Sequence, residues 1–249
     1  MNIFMQNYMK NNLLTHIRQA HQKNQKLLAI LLDPDKLELP QIAAKIKTLD
    51  TYQIDFILVG GSLLFTNILD VFIQEIKKYT NIPVIIFPGS AMQVSDQADA
   101  ILFLSLLSGR NPEFLVGNQV IAAPIIKQTQ LEVLPTSYLL IESGRETTAS
   151  YISNTKPIPR HKPEIAMATA LAGEMMGHQL IYLDGGSGAQ YPVPTPLIEQ
   201  VSQQCNNPII VGGGIHSKEQ LTAAHQAGAT MVVIGTAFEN NAMLLHDLH

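Results

Sequence analysis

The sequence predicts an α/β fold, a single (β/α)8 barrel of the phosphate-binding type, known as the TIM barrel. Its length of 249 residues is typical of one such barrel. Eight short apolar runs follow one another along the chain, and helical patterns separate most of them. Three of the late runs end in glycine-rich turns, and in such a barrel the turns after the strands meet at one face and often hold a phosphate. We therefore expect one domain over residues 1–249.

The eight apolar runs are the predicted strands. None alternates cleanly between polar and apolar residues, which is typical of a strand buried on both faces of a parallel sheet. The predicted strands are Leu27–Leu32, Phe56–Val59, Val84–Phe87, Ala100–Leu104, Ser137–Ile141, Leu180–Leu183, Ile209–Val211 and Met231–Ile234. Residues 1–24 predict an amphipathic helix that precedes the first strand and covers one end of the barrel. A membrane-surface helix is the alternative, but its polar face carries few basic residues.

Two later segments need separate interpretation. Asn111, Pro112 and Glu113 form a helix start, because Asn caps well, Pro suits the first helical position and an acid suits the first turn. Pro124 is expected to kink or end that helix. The polar segment 145–162 is predicted as a long loop on the active face, followed by a helix over 163–176.

The composition excludes several classes of function. The net charge of −4 provides no basic field for nucleic acid. The one cysteine, Cys205, rules out a disulfide within the chain and favours a reducing, cytoplasmic location. The apolar runs are too short to span a membrane, and the first residues lack a signal-peptide pattern.

A candidate metal site follows the first two strands. Asp33 ends the first strand, and Pro34 holds it in an extended conformation at the catalytic rim. Ser62 follows Gly60 and Gly61 at the same rim, where glycines permit close backbone approach. Asp33 and Ser62 are thus able to share Mg²⁺, which prefers oxygen ligands, and a diphosphate. Each motif taken alone is also compatible with a simple turn, with Asp35 capping the next helix.

The turn after the sixth strand holds a second candidate site. Tyr182 and Asp184 alternate along the strand, so their side chains share a face. Ser187 and the amides of Gly186 and Gly188 are suited to hold a phosphate. Asp184 then lies near the substrate's hydroxyls and is a candidate general base. The alternative is that Asp184 or Ser187 caps a helix.

Other polar and sulfur-bearing residues carry weaker signals. The eight histidines lack metal-ligand spacing, and Cys205 has no activating neighbour. Arg110, Arg145 and Lys162 follow strands or flank the predicted loop and are possible diphosphate contacts. Met167, Met175 and Met176 have helical spacing, which indicates core packing or a pliable apolar groove.

Taken together, these motifs point to one family. The chain resembles the geranylgeranylglyceryl phosphate synthase family, the PcrB-like prenyltransferases, and the segment 145–176 resembles the second of the family's two groups. The matching segments are Leu32–Pro34, Val59–Ser62, Pro83–Ser90, Ala98–Asn111, Leu134–Tyr138, Tyr182–Gly188, Val211–Ile215 and Ile234–Thr236.

The resemblance implies a reaction, partners and residue roles. It implies a barrel that joins sn-glycerol 1-phosphate to a prenyl diphosphate, with geranylgeranyl diphosphate expected and Mg²⁺ as cofactor. It assigns the metal to Asp33 and Ser62, and catalysis to Asp184 and Tyr182. The glycerol phosphate site it implies consists of Tyr182, Leu183, Asp184, Gly185, Gly186, Ser187, Gly188, Gly213, Gly214, Gly235 and Thr236. Many members carry Glu where this chain has Asp184. A homo-oligomer, dimer or hexamer, and transient membrane-surface contact through the product are also implied.

Two other functions fit the same turns. One is a sugar-phosphate isomerase or synthase, although such enzymes usually need an acid–base pair on opposite strands and Asp33 has no evident partner. The other is a phosphate-binding barrel without catalytic activity, against which the set of Asp33, Ser62 and Asp184 argues.

Overall fold

The strands form a closed parallel barrel in the order β1 to β8, which confirms the predicted fold class. A computed structural model describes residues 12–49, 52–61 and 68–235. The strands are β1 Leu27–Leu32, β2 Phe56–Val59, β3 Val84–Ile86, β4 Ala100–Leu106, β5 Glu132–Leu140, β6 Leu180–Asp184, β7 Ile209–Gly212 and β8 Met231–Ile234. Because all strands are parallel, their carboxyl ends gather at one end of the barrel.

Helices lie between most of the strands. They are α1 Leu13–Gln22, α2 Leu39–Leu49, α3 Leu69–Lys77, a π-helical turn Glu113–Gly117, α4 Asn118–Ile126, α5 Thr148–Ile152, α6 Pro163–Met175, α7 Thr195–Gln204 and α8 Lys218–Gln226. The predicted helix over 1–24 is confirmed for α1, and residues 1–11 lie outside the described residues. No described helix is long and apolar enough to cross a membrane.

Helix α1 closes the amino-terminal end of the barrel. Its buried Leu13 and Ile17 join the apolar cluster inside the barrel, with Leu27 and Phe56. The carboxylate of Glu132, at the start of β5, accepts hydrogen bonds from the backbone amides of Leu13 (2.6 Å) and the following residue (3.0 Å). The opposite end, where the strands end, is therefore the one open to a ligand.

Strand β5 begins five residues earlier than predicted. It pairs with β4 over seven positions, from Ala100 opposite Glu132 to Leu106 opposite Tyr138. The prediction missed this part because Glu132, Pro135 and the following Thr interrupt the apolar run. Hydrogen-bond pairing with β4 stabilises this part of β5 as a strand although its local composition does not favour one. No local sequence pattern indicates such pairing.

The helix predicted after Asn111 extends further than expected. The Asn111 side chain accepts a hydrogen bond from the amide of Glu113 (3.1 Å), as a capping residue does. The first turn is π-helical, and α4 then continues past Pro124 to Ile126. Pro124 is exposed and lies in the last turn, where it removes one backbone hydrogen bond, and the helix ends two residues later.

The segment predicted as a loop over 145–162 contains the short helix α5. Thr147 caps it, with its side chain accepting from the amide of Ser150 while the Ser150 hydroxyl accepts from the amide of Thr147. Such reciprocal caps start a helix, but five residues are too few for a periodic pattern. The helix predicted over 163–176 is confirmed as α6, and it ends before Gly177, whose φ is +94°.

Candidate functional site

A cavity of about 610 Å³ opens at the carboxyl ends of the strands. Its wall includes Asp33 after β1 and Tyr182 and Asp184 on β6. Other lining residues from the predicted sites are Gly186, Ser187, Gly188, Gly213, Gly214 and Gly235. Leu183 packs instead in the core between strands and helices. Ser62 and Thr236, assigned to the metal and glycerol phosphate sites, lie outside the described residues.

Asp184 is buried at the last position of β6, with both carboxylate oxygens engaged. One oxygen accepts from the hydroxyl of Tyr138 at 2.6 Å, and the other accepts from the amide of Gly186 at 2.8 Å. Burial raises the pKa of Asp184, while these two hydrogen bonds act in the opposite direction. A carboxylate with a raised pKa that faces a cavity is suited to general base chemistry. Asp184 therefore orders its own turn and does not cap a helix.

Three aromatic rings form the wall beneath Asp184. Tyr138 and Tyr182 are register partners on β5 and β6, and their rings meet edge to face at 5.6 Å. Phe87 stacks on Tyr182 with ring centroids 5.0 Å apart. Burial, together with the charge of Asp184, raises the pKa of both tyrosines well above the usual value. Both hydroxyls therefore keep their protons, and that of Tyr138 is a hydrogen-bond donor.

The turns after β6 and β7 pack directly against each other. A Cβ atom at Gly213, whose φ is +81°, would lie 2.7 Å from the amide nitrogen of Gly186 and 2.9 Å from Asp184 Oδ1. The amide of Gly185 donates to the carbonyl of Gly212 at 2.9 Å. Only glycine permits this backbone conformation and this close approach at residue 213.

The backbone amides around these turns divide into two groups. The amide of Gly186 donates to Asp184 Oδ1 at 2.8 Å, and its part in a phosphate site stays a prediction. Within the described part of the chain, the amides of Gly188, Gly213 and Gly214 donate no hydrogen bond. These three turn amides at the rim are suited to hold an anion. The guanidinium group of Arg145 packs against Gly188 and adds positive charge there.

Asp33 lies across the cavity, beside a lysine that sequence analysis did not single out. Its carboxylate accepts from the amide of Asp35 at 3.1 Å, and Oδ2 is 3.2 Å from Lys36 Nζ. Lys36 Nζ also donates to Ser187 Oγ at 3.3 Å. A Cβ atom at Gly61 would lie 3.0 Å from the Asp33 carboxylate. The first two strand ends and the turn after β6 therefore meet at one place.

The donor set around Asp33 fits a weakly held Mg²⁺ ion. Among the described residues, no group of three or more His, Cys, Asp or Glu side chains forms a metal site. Mg²⁺ usually keeps several waters and binds through one or two carboxylates together with substrate phosphates. Asp33 and Asp35 line the cavity, and the Asp33 side chain is 16% exposed. They are therefore suited to a cation that arrives with a phosphorylated substrate.

An apolar arm of the cavity extends between β4 and α4. Phe103 on β4 lies on one side, and Phe114, Ala122 and Ile126 lie on the other. The suggestion that the methionines of α6 line a groove is wrong for Met175 and Met176, which are 83% and 67% exposed at the end of that helix. In the described chain no helix separates β3 from β4.

The remaining candidates lie away from the cavity wall. Arg110 is exposed, with φ at +55°. Lys162 pairs with Glu164 at 3.6 Å. Cys205 is buried, and burial raises its pKa to about 11, which agrees with an inert thiol. Two residues at the site, Tyr138 and Lys36, were not predicted, although Tyr138 lies within the matching segment Leu134–Tyr138 and Lys36 follows Asp33 by three residues.

The fold and this cavity define a class, the phosphate-binding (β/α)8 barrels. The chain belongs to the PcrB family, whose model matches residues 20–248, so the resemblance found in the motifs is confirmed. The geranylgeranylglyceryl phosphate synthase of Flavobacterium johnsoniae is 50% identical over 238 residues, with 94% of this chain and 98% of that protein covered. That of Thermococcus gammatolerans is 46% identical, with 89% and 88% covered.

Solved structures of other proteins also resemble this chain. The (S)-3-O-geranylgeranylglyceryl phosphate synthase of Thermoplasma acidophilum, in complex with its substrate sn-glycerol-1-phosphate, is 36% identical, with a TM-score of 0.89 and 95% of each chain covered. The N-acetylmannosamine-6-phosphate 2-epimerase of Clostridium perfringens is 14% identical at a TM-score of 0.56, with 90% of this chain and 93% of that chain covered, and shares the fold alone. The prenyltransferase activity implied by the motifs therefore agrees with the names of the relatives.

Proposed function

We propose that this chain is a prenyltransferase that joins the C3 hydroxyl of sn-glycerol 1-phosphate to a prenyl diphosphate. The products are a prenylglyceryl phosphate ether and diphosphate. One observation carries the proposal: a single cavity combines turn amides beside the buried Asp184 with an apolar arm along β4 and α4. The synthases of F. johnsoniae and T. gammatolerans support the assignment. A sugar-phosphate isomerase has no use for the apolar arm.

The glycerol phosphate end of the cavity is formed by the turns after β6, β7 and β8. The amides of Gly188, Gly213 and Gly214 hold the phosphate, with Ser187 and Gly235 beside them and Arg145 adding charge. Thr236, which the family resemblance assigns to the same site, lies outside the described residues. A phosphate fixed in this way places the glycerol hydroxyls near Asp184. Binding thus supplies the orientation that a reaction between two free substrates lacks.

The chemistry at Asp184 is a proton transfer coupled to ether formation. Asp184 accepts the proton of the C3 hydroxyl, and the oxygen forms a bond to C1 of the prenyl chain. The bond from C1 to the diphosphate oxygen breaks, and diphosphate leaves with the electron pair. Tyr138 holds Asp184 by its hydrogen bond, and Tyr182 and Phe87 keep the reacting carbon in an apolar environment.

The leaving diphosphate lies at the end of the cavity where Asp33 is found. Asp33 would hold Mg²⁺ there, and Ser62 is the second ligand that the family resemblance implies. When bound, the ion neutralises the negative charge that grows on the leaving group. The prenyl chain occupies the apolar arm between β4 and α4, with geranylgeranyl as the expected chain.

The cellular setting is part of the same proposal. The lone cysteine favours the cytoplasm, and the lipid product implies transient contact with a membrane surface. A homo-oligomer, dimer or hexamer, remains a prediction. It is supported by the exposed apolar side chains of Val120 and Ile121 on α4, 66% and 57% exposed, which a second copy would cover.

An extraction assay tests the proposal. Purified protein is incubated with sn-glycerol 1-phosphate, Mg²⁺ and labelled prenyl diphosphates of increasing length, with the opposite glycerol phosphate enantiomer as the control. We expect an organic-soluble ether from one enantiomer only. Asp33→Ala is expected to abolish turnover and leave glycerol phosphate binding largely intact. Absence of product with every chain length would contradict the proposed reaction.

A further inference from the structure

One ammonium group connects the two anion-binding ends of the cavity. Lys36 Nζ lies 3.2 Å from Asp33 Oδ2 and 3.3 Å from Ser187 Oγ. Lys36 follows β1, whereas Ser187 belongs to the turn after β6, so the contact spans the mouth of the barrel. Among the described residues that line the main cavity, Lys36 is the one lysine, and none is an arginine.

The proposed reaction places two highly charged anions in this cavity. The phosphate of glycerol 1-phosphate and the leaving diphosphate repel each other, and the repulsion is stronger inside a partly enclosed site than in water. The backbone amides of the glycine turns offset part of this repulsion, but only for the phosphate that lies on the Ser187 side of the cavity. A cation that contacts both ends reduces the repulsion for both ligands at once.

We propose that Lys36 is a substrate-binding residue that pairs with the diphosphate while keeping its contact with the Ser187 turn. The proposal rests on the proposed function and adds to it the residue that couples the two substrates. In this arrangement the ammonium group offsets the repulsion between the two anions, and the anion that binds first holds Lys36 in place for the second, so the affinity for each anion depends on the presence of the other. Coupling of this kind is reciprocal, so it is measurable from either ligand.

The ion pair with Asp33 gives the proposal a second consequence. In the structure, the ammonium of Lys36 compensates the Asp33 carboxylate that would hold Mg²⁺. Removing the ammonium therefore weakens diphosphate binding but removes a competitor of the metal ion. A residue with a merely structural role would not move the two affinities in opposite directions.

Calorimetry with the full chain tests the proposed role of Lys36 in diphosphate binding. Inorganic diphosphate is titrated in the presence and absence of saturating sn-glycerol 1-phosphate, and Mg²⁺ is titrated alone. For Lys36→Met we expect diphosphate binding to weaken about 10- to 100-fold, the worth of one hydrogen bond to a charged group. We also expect the effect of glycerol 1-phosphate on diphosphate affinity to disappear, and Mg²⁺ binding to become tighter.

Matched variants separate this role from a general effect. Lys36→Arg keeps the charge and is expected to restore most of the diphosphate affinity. Lys23→Met makes the same change on an exposed lysine that follows α1 at the far end of the barrel and is expected to have no effect. Lys36→Gln provides a second neutral variant should the Met variant fold poorly, and binding of glycerol 1-phosphate alone reports an intact site.

The outcomes are distinct. Wild-type diphosphate affinity and coupling in both neutral variants would overturn the role of Lys36. Equal loss of glycerol 1-phosphate and diphosphate binding would overturn it as well, since it would indicate general damage to the site. A wild-type protein that binds neither anion would instead count against the proposed function.

Discussion

At the scale of single residues, the environment of Asp184 determines what it can do. Its side chain has a single methylene group, which gives it little freedom to adjust its reach toward the substrate. Hydrogen bonds from Tyr138 and the Gly186 amide fix both oxygens. The bond from Tyr138 also limits the rise in the pKa of Asp184 that burial causes. Tyr138 is thus a positioning residue with a measurable effect on pH dependence.

We predict that Tyr138→Phe moves the acidic limb of the kcat profile to higher pH. The substitution removes a hydrogen bond that lowers the pKa of Asp184, so burial raises that pKa further and a larger fraction of the base is protonated near neutral pH. Asp184→Asn is expected to lower kcat about 10²- to 10⁴-fold and to abolish the limb. The measurement is kcat against pH at saturating concentrations of both substrates.

Tyr79→Phe is the control, because Tyr79 is exposed and its hydroxyl bonds to Glu75, outside the cavity wall. Its profile is expected to match wild type. A Tyr138→Phe profile that shows lower kcat without a shift would mean that Tyr138 acts on something other than the proton affinity of Asp184.

The glycine turns allow a second test at this scale. We predict that Gly213→Ala weakens glycerol 1-phosphate binding, because its Cβ atom would press on the Gly186 amide and on Asp184 at 2.7 and 2.9 Å. Backbone strain at a positive φ adds a stability cost of about 1–3 kcal/mol. Gly177→Ala serves as the control, with φ at +94° and, among the described residues other than its chain neighbours, no heavy atom within 4 Å of the new Cβ. The two variants are compared by calorimetry and by urea unfolding.

The Gly177 variant carries the strain without the steric contact. We therefore expect both variants to lose stability and only Gly213→Ala to lose affinity. Equal affinities in the two variants would show that the packing of the two turns has no effect on the ligand.

At the scale of secondary-structure elements, local sequence patterns predicted the cores of the barrel strands better than the start of β5 and the short helix α5. The strand cores were predicted because buried parallel strands leave continuous apolar runs. The start of β5 was missed because pairing with β4 decides it, and α5 was missed because a five-residue helix has no period. In the site, Asp33 and Asp184 were predicted from their positions at strand ends. The hydrogen-bond partner of Asp184 was not predicted, because Tyr138 lies 46 positions away from it in the sequence.

Helix α4 lies between the apolar arm and the surface, and its two faces allow a matched test. We predict that Ala122→Phe shortens the longest prenyl chain that the protein accepts. Ala122 is buried on the wall of the arm, so a larger side chain there fills space that the chain needs. Product length is measured against the ladder of prenyl diphosphates.

Ala123→Phe is the control on the same helix, at an exposed position. It makes the same change on the outer face and is expected to leave the accepted lengths unchanged. The same lengths for wild type and both variants would place the prenyl chain elsewhere.

At the scale of the whole molecule, the two ends of the barrel have different tasks. The carboxyl end carries the cavity, whereas the amino end is sealed by α1 through Glu132 and the apolar cluster. Three histidines, His21, His178 and His225, precede β1, β6 and β8 and therefore lie at the sealed end. Protonation of these histidines is therefore expected to change the free energy of unfolding without acting directly on the cavity.

We predict that these histidines make the protein less stable as the pH falls from neutral. Burial lowers the pKa of each below the ordinary value of 6.5. Between the lowered values and 6.5 the unfolded chain binds more protons than the folded chain, so the free energy of unfolding decreases as the pH falls through this window. Above 6.5 both states are neutral at these positions, and the contribution is constant.

The carboxyls of the half-buried Asp55 and the buried Asp184 act in the opposite direction, because their raised pKa values let the folded state take up protons first. A histidine variant isolates the first effect, since the carboxyls are common to both proteins. His225→Asn, at a position where the ring nitrogen lies 3.1 Å from the carbonyl of Ala229, is compared with wild type by urea unfolding at pH 7.5 and 5.5. The decrease in stability is expected to be smaller in the variant, whereas the exposed His161→Asn is expected to match wild type. An equal decrease in all three proteins would mean that burial of His225 does not couple folding to pH.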